Sequence, residues 1–376
     1  MRIINKLLKK YRWLDARVIA IVLTIKFLIL LFAVQSYQIV NDQPVNDLTT
    51  VFSIWNRWDA QSYLSIAHYG YAAGGEDRFQ LVFFPFYPSL IAFLTLFTQS
   101  YLASAFLVSG IASVALGLSF RELVRLDFSE KTAQLAVLFL FIFPTSFFLH
   151  IPYTESTFLA LAVGCFLAAR KRKWLWAGVL GGLACLTRVN GLILCAAILF
   201  EVWSERRETG KFNPAWLFLI LIPAGFAVYL GLNHGLTGNP LMFLELQREH
   251  WGRRLTLPWS GFKGAYEMLF YKSPSGLQMH GVQELLFVAV GLLATVFGWR
   301  SLRASYRVWM VLNWLLFVST SFIQSVPRYT LTLFPLFILM ALAARRSYWA
   351  KVFLMVWSLL FLSLFATQFT RGWWAF

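Results

Sequence analysis

Apolar stretches and short polar intervals alternate along almost the whole chain. A bilayer-spanning helix needs roughly 20 mostly apolar residues. Runs near that length fall at 18–38, 102–120, 132–149, 154–170, 174–187, 190–203, 214–233, 283–299, 306–323, 328–344 and 348–368. Those at 174–187 and 190–203 are short for a crossing. A further apolar stretch, 82–98, opens with Phe84-Pro85-Phe86-Tyr87-Pro88, and two prolines so close together make a poor straight helix. The pattern predicts an all-α, polytopic membrane protein of about eleven spans. It reads as one transmembrane domain over 1–376, with 82–98 as a re-entrant segment.

The basic residues choose that arrangement. If 82–98 crosses, Arg170-Lys171-Arg172-Lys173, Arg206-Arg207 and Arg345-Arg346 face away from the cytoplasm. If it re-enters, the N-terminus and segments 121–131, 170–173, 204–213, 300–307 and 345–351 share the cytoplasmic side, as the positive-inside rule expects. The extracytoplasmic side then receives 39–81, 234–282 and the turns at 99–101, 150–153, 188–189 and 324–327. His68, His150, His234, His250 and His280 all fall there. Either they serve chemistry or they simply tolerate an interface. Strong charges gather at span ends; Lys26 is the exception, placed to snorkel toward the cytoplasmic end.

Composition agrees. Hydrophobic residues make up 59% and charged residues 13%, about half the usual charged share, so a water-soluble fold is excluded. The 37 Phe and 16 Trp suit lipid contact and interfacial belts. A formal net charge of +16 in a soluble protein would suggest nucleic acid. Here topology accounts for it, and no nucleic-acid partner is expected. Cys165, Cys185 and Cys195 lie inside apolar stretches and read as buried thiols rather than a disulfide framework. Lys6, Lys9, Lys10 and Arg12 precede a long apolar run without a convincing cleavage site, which predicts a retained first helix.

Candidate chemistry sits at the extracytoplasmic span ends. In Trp55-Asn56-Arg57-Trp58-Asp59-Ala60-Gln61-Ser62-Tyr63, Asp59 lies among aromatic residues, and a carboxylate in such partly dry surroundings can act as a general base. Trp55, Asp59, Tyr63 and Ala67 follow helical spacing, predicting an interfacial amphipathic helix. The plain alternative is an aspartate that caps a helix or pairs with an arginine. Pro152-Tyr153-Thr154-Glu155-Ser156 offers a second carboxylate, either in the same cleft or merely favoured by the helix dipole. Thr187-Arg188-Val189-Asn190-Gly191 and Pro327-Arg328-Tyr329 each place an arginine between apolar helices, where cations are costly and usually face a cavity. Two such arginines suit a phosphate; lipid-headgroup contact or helix termination is the alternative. Glu245, Glu249 and His250 match no metal-ligand spacing, and there is no Walker loop or dinucleotide fingerprint. No cofactor is required on this reading, and a divalent cation is left open.

Arg57-Trp58-Asp59…Tyr63-Leu64-Ser65-Ile66-Ala67…Gly70-Tyr71, followed by Phe83-Phe84-Pro85…Tyr87-Pro88, resembles the PIG-V family. The Tyr153-Thr154-Glu155 block, Leu186-Thr187-Arg188-Val189-Asn190-Gly191, and Pro327-Arg328-Tyr329 with Phe334-Pro335-Leu336-Phe337 follow in the family's order. The resemblance covers roughly 50–200 well and 320–345 moderately; 234–282 has no matching motif, and 72–78 departs from the eukaryotic members. It implies a GT-C glycosyltransferase that moves a sugar, typically mannose, from a polyprenyl-phosphate carrier on the non-cytoplasmic face. By analogy Asp59 matches the catalytic acid of the first loop. Arg57, Trp58, Tyr63, His68, Tyr153, Glu155, Asn190 and Tyr329 match neighbouring motif positions and are expected to bind substrate.

The expected reaction is inverting transfer. Asp59 takes a proton from an acceptor hydroxyl, and Arg188 and Arg328 stabilise the departing phosphate. Partners would be the lipid-linked donor, membrane lipids, and a glycan, lipid or protein acceptor that the sequence does not name. The rival reading is a lipid or sugar transporter or flippase. That class places ionisable groups at mid-membrane, often with internal repeats, and no repeat is visible here. A structural scaffold would not need arginines and carboxylates converging on one face.

Overall fold

The computed structural model describes residues 15–270 and 276–374. The basic N-terminal segment with Lys6, Lys9, Lys10 and Arg12, and residues 271–275 of the long loop, lie outside the described residues. In chain order the helices are α1 (Ala16–Asn41), α2 (Leu48–Ser53), α3 (Asp59–Tyr69), α4 (Phe86–Thr98), α5 (Tyr101–Arg125), α6 (Glu130–Ile142), α7 (Glu155–Arg170), α8 (Trp174–Cys185) and α9 (Ile193–Thr209). Then come α10 (Leu221–Thr237), α11 (Met242–Trp251), α12 (Pro258–Met268), α13 (Gly276–Gly298), α14 (Ala304–Val318), α15 (Val326–Tyr329), α16 (Pro335–Arg346) and α17 (Tyr348–Thr370). Short 3-10 turns join several of them, and one isolated antiparallel bridge links Leu255 to Thr320. Side chains start many helices: Asp15, Ser100, Ser129 and Ser347 each accept from a backbone N–H in the first turn. One buried apolar core runs from Val18 to Phe369.

Five helices among the described residues are long and apolar enough to cross a membrane, or seven if two bent pairs each count as one span. That is fewer than the expected eleven. The difference lies in breaks within the apolar runs: α6, α7, α8, α9 and α14 have only 12–17 residues. Phe143 leaves the helical conformation after α6, so the 132–149 run is part α-helix and part 3-10 turn.

The apolar stretch at 82–98 is bent at its prolines, as a broken span or a re-entrant segment would be. Residues 76–82 and α4 meet at 108°. Both ends of α4 lie against the start of α5: Tyr87 OH is 3.0 Å from Ser109 Oγ, and Thr98 Oγ1 is 2.6 Å from Ser104 Oγ.

Two expectations are corrected. The run 328–344 is not a straight span; residues 326–332 meet α16 at 83°. Pro335 lacks the N–H that would continue a helix and opens a new one instead. Lys26 does not snorkel toward the basic end. Its Nζ donates to the Phe106 carbonyl oxygen at 3.3 Å, in the second turn of α5. Gly110 makes room, since a Cβ there would lie 3.0 Å from Nζ.

Charges sort to two ends of the bundle. Arg170 pairs with Asp127, Arg303 with Glu201, Arg121 with Glu130, and Arg345 donates to Ser129 and Thr132. These segments are the ones expected to share a side. The other end of α7 carries Glu155, and with it the candidate site.

Candidate active site

Four segments far apart in sequence deliver charges to one place. Arg328 Nη1 donates to Asp59 Oδ2 at 2.7 Å, while its Nε donates to Glu155 Oε1. Arg188 Nη1 reaches the same Glu155 oxygen at 2.5 Å and Thr154 Oγ1 at 2.9 Å. The order is therefore Asp59, Arg328, Glu155, Arg188. The Arg328 guanidinium also lies over the rings of Phe148 and Tyr153, at 5.0 and 4.6 Å.

Local structure aims these groups. Asp59 opens α3, and Trp58 before it holds φ +53°. Ser325 precedes the α15 turn that carries Arg328 and holds φ +66°. Left-handed residues with a Cβ cost about 1–3 kcal/mol and persist where the surroundings over-determine them. Two such residues flank the two partners of one ion pair. Glu155 opens α7, where the helix dipole favours an acid.

The two carboxylates are not equivalent. The Glu155 side chain is 1% exposed and that of Asp59 is 35% exposed. Glu155 is an internal anchor for two guanidiniums; Asp59 is the more accessible carboxylate of the pair. Tyr63 and Tyr153 complete the wall, with ring centroids 6.2 Å apart. Burial pushes both phenols up, so they stay protonated.

The motif neighbours divide. Tyr329 joins the cluster, its ring between the guanidiniums of Arg188 and Arg253 at 5.5 and 5.7 Å. Arg57 does not: its side chain donates to the carbonyls of Ile54 and Thr370, and its own carbonyl accepts from Tyr153 OH. It fastens the loop to α17. His68 is exposed against Tyr69 and Tyr101. Trp58 packs edge-on to Trp374, and Asn190 is bonded to Asn313 within the bundle. Among the described residues, the histidine contacts lie elsewhere: His68 with Tyr69 and Tyr101, His150 with Phe141, His234 with Gly238, His250 with Phe79 and Trp251, and His280 with Trp374. His150, wholly buried, has neither ring nitrogen hydrogen-bonded among the described residues.

Sequence reasoning missed Arg253. It follows α11 in the loop without a matching motif, and its Nη1 donates to Tyr329 OH at 3.3 Å. Among the described residues no carboxylate lies within ion-pairing distance of it, whereas Arg188 and Arg328 are already paired. Glu284 was missed too; it lies behind α15 and accepts from the Ser325 and Val326 N–H groups. A lone acid at the start of an apolar run was the available signal.

Residues 84–230 match the family of dolichyl-phosphate-mannose-protein mannosyltransferases. GPI mannosyltransferase 2 of Schizosaccharomyces pombe is 26% identical over 235 residues, covering 55% of this chain and 49% of that protein. The chain thus spans about half the length of that curated relative. Among solved structures, ArnT from Cupriavidus metallidurans, bound to undecaprenyl phosphate, superposes with a TM-score of 0.55 at 15% identity, over 94% of this chain and 72% of ArnT. This multi-pass membrane protein is thus similar over residues 84–230 to dolichyl-phosphate-mannose-protein mannosyltransferases, and it shares the fold of ArnT.

Proposed function

We propose that the chain transfers a sugar, mannose by its likeness to mannosyltransferases, from a polyprenyl-phosphate carrier to an acceptor hydroxyl at the Asp59 end of the bundle, with inversion. The observation that carries this reading is the linked chain Asp59–Arg328–Glu155–Arg188, with Arg253, which has no carboxylate within ion-pairing distance among the described residues, beside it. The mannosyltransferase likeness of 84–230 and the undecaprenyl phosphate bound by ArnT support the donor class.

On this reading Asp59 accepts the hydroxyl proton as the oxygen attacks the anomeric carbon. The carbon–oxygen bond to phosphate breaks on the opposite face, and the carrier leaves as polyprenyl phosphate. That anion is stable without protonation, so one base suffices where glycosidases pair two carboxylates. Arg328 orients Asp59, and Arg253 with Arg188 offers positive charge to the phosphate in a site sheltered from water. Guanidiniums then carry the electrostatic role, and transfer is expected to survive chelation of divalent ions. Facing the extracytoplasmic side is part of the same proposal.

The test is incubation of the protein in liposomes with a panel of polyprenyl-phosphate sugars, with and without chelator. Polyprenyl phosphate should be released only with a suitable donor and acceptor. Asp59→Asn should lower release by about 10²–10⁴-fold, the usual weight of a general base, while the protein elutes as folded. Full activity of that variant, or no release across the panel, overturns the proposal.

A further inference from the structure

Resting on the transferase reading, we infer that Glu284 is the positioning residue that sets Arg328 against Asp59. Glu284 lies in α13, is 4% exposed, and spends both oxygens on one turn: Oε1 accepts from Ser325 N at 2.7 Å and Oε2 from Val326 N at 2.8 Å. An acid inside an apolar helix is expensive unless its oxygens are used. Here they hold the residue with φ +66° and the first N–H of the helix that carries Arg328.

Without that acceptor two buried N–H groups lose their partner, and Ser325 loses the contact that holds its left-handed conformation. Arg328 follows three residues later. Thr145 Oγ1 grips the same turn from another side, donating to the Pro327 carbonyl at 2.9 Å, so the turn stays attached while its first residues relax. The consequence is a misplaced guanidinium rather than an unfolded bundle, and misplacement by about 1 Å at a reacting centre costs about 10²-fold.

The experiment uses the full chain in nanodiscs with polyprenyl-phosphate mannose. Glu284→Gln keeps the side chain's size, but its amide N–H meets a backbone N–H. It should lower kcat about 10- to 100-fold. Adding Ser325→Gly should restore most of kcat, because glycine holds a positive φ without strain. Wild-type kcat in E284Q, or a loss that S325G does not repair, overturns the inference. If E284Q yields no folded protein, Ser325→Thr loads the same turn without touching α13; an unchanged kcat there overturns it. If the wild type transfers no sugar at all, the transferase reading fails separately. A cryo-EM structure of E284Q, or of S325T in its place, then decides: Arg328 displaced from Asp59 supports the positioning role, and Arg328 in place ends it.

Discussion

A guanidinium that already shares its charge with a carboxylate attracts an incoming phosphate less than one that does not. By that argument Arg253 outranks Arg188 and Arg328 as the donor's phosphate contact, since those two are committed to Glu155 and Asp59. A hydrogen bond to a charged group is worth about 1.5–3 kcal/mol. Arg253→Ala should therefore raise the donor KM roughly 10- to 100-fold with a smaller effect on kcat, measured by initial rates across donor concentration. A fall in kcat at unchanged KM would place Arg253 elsewhere in the mechanism. Asp59, Glu155, Arg188 and Arg328 were legible because a charge framed by apolar residues stands out in sequence. Arg253 was not, because it sits in an unpatterned loop and its partner Tyr329 lies 76 residues away. The motif resemblance pointed to Arg57 and His68 as well, but a motif names a position and not the direction its side chain takes. Arg57 turns toward Thr370 and His68 toward Tyr101.

Among the elements, α8 and the segment 214–237 meet backbone to backbone through glycines. A Cβ built on Gly225 would fall inside contact distance of the Gly182 carbonyl oxygen, and one on Gly178 would meet the carbonyl of Phe218. Small residues spaced four apart let membrane helices cross backbone to backbone, and backbone atoms cannot rotate away. Gly225→Ala should cost about 1–3 kcal/mol, the usual range for overpacking, and show as a lower melting temperature in detergent. An unchanged melting temperature would mean the crossing is looser than described. This contact also bears on the site, since α8 ends next to Thr187 and Arg188. Apolar runs located the long helices, while α2, α11 and α12 lay inside segments read as outer loops. The runs did not show which of them break: the helix ends at Phe143 with no proline there, and a proline such as Pro335 marks a bend without giving its angle.

Across the whole molecule the site and the main ion network occupy opposite ends. Helix α7 has Glu155 at one end and Arg170 at the other; the rise of 1.5 Å per residue along its 16 residues puts them about 22 Å apart. At the far end Glu201, 6% exposed, accepts from Arg303 Nη2 at 3.0 Å and from Ser305, with Arg170 beside it. Glu201→Gln should destabilise the bundle by less than the about 3–5 kcal/mol of a fully buried pair, because the Arg303 side chain remains 35% exposed. Donor KM should not move. Thermal unfolding and initial rates together check this, and a changed KM would mean the two ends are coupled. The central claim is that one pocket, lined by Asp59, Arg188, Arg253 and Arg328, takes the lipid-linked sugar. A cryo-EM structure with a polyprenyl-phosphonate mannose analogue tests it most directly. The account predicts the phosphonate within hydrogen-bonding distance of Arg253 and the sugar beside Asp59. An analogue seated at the Glu201–Arg303 end, or with Asp59 out of reach of the sugar, contradicts it.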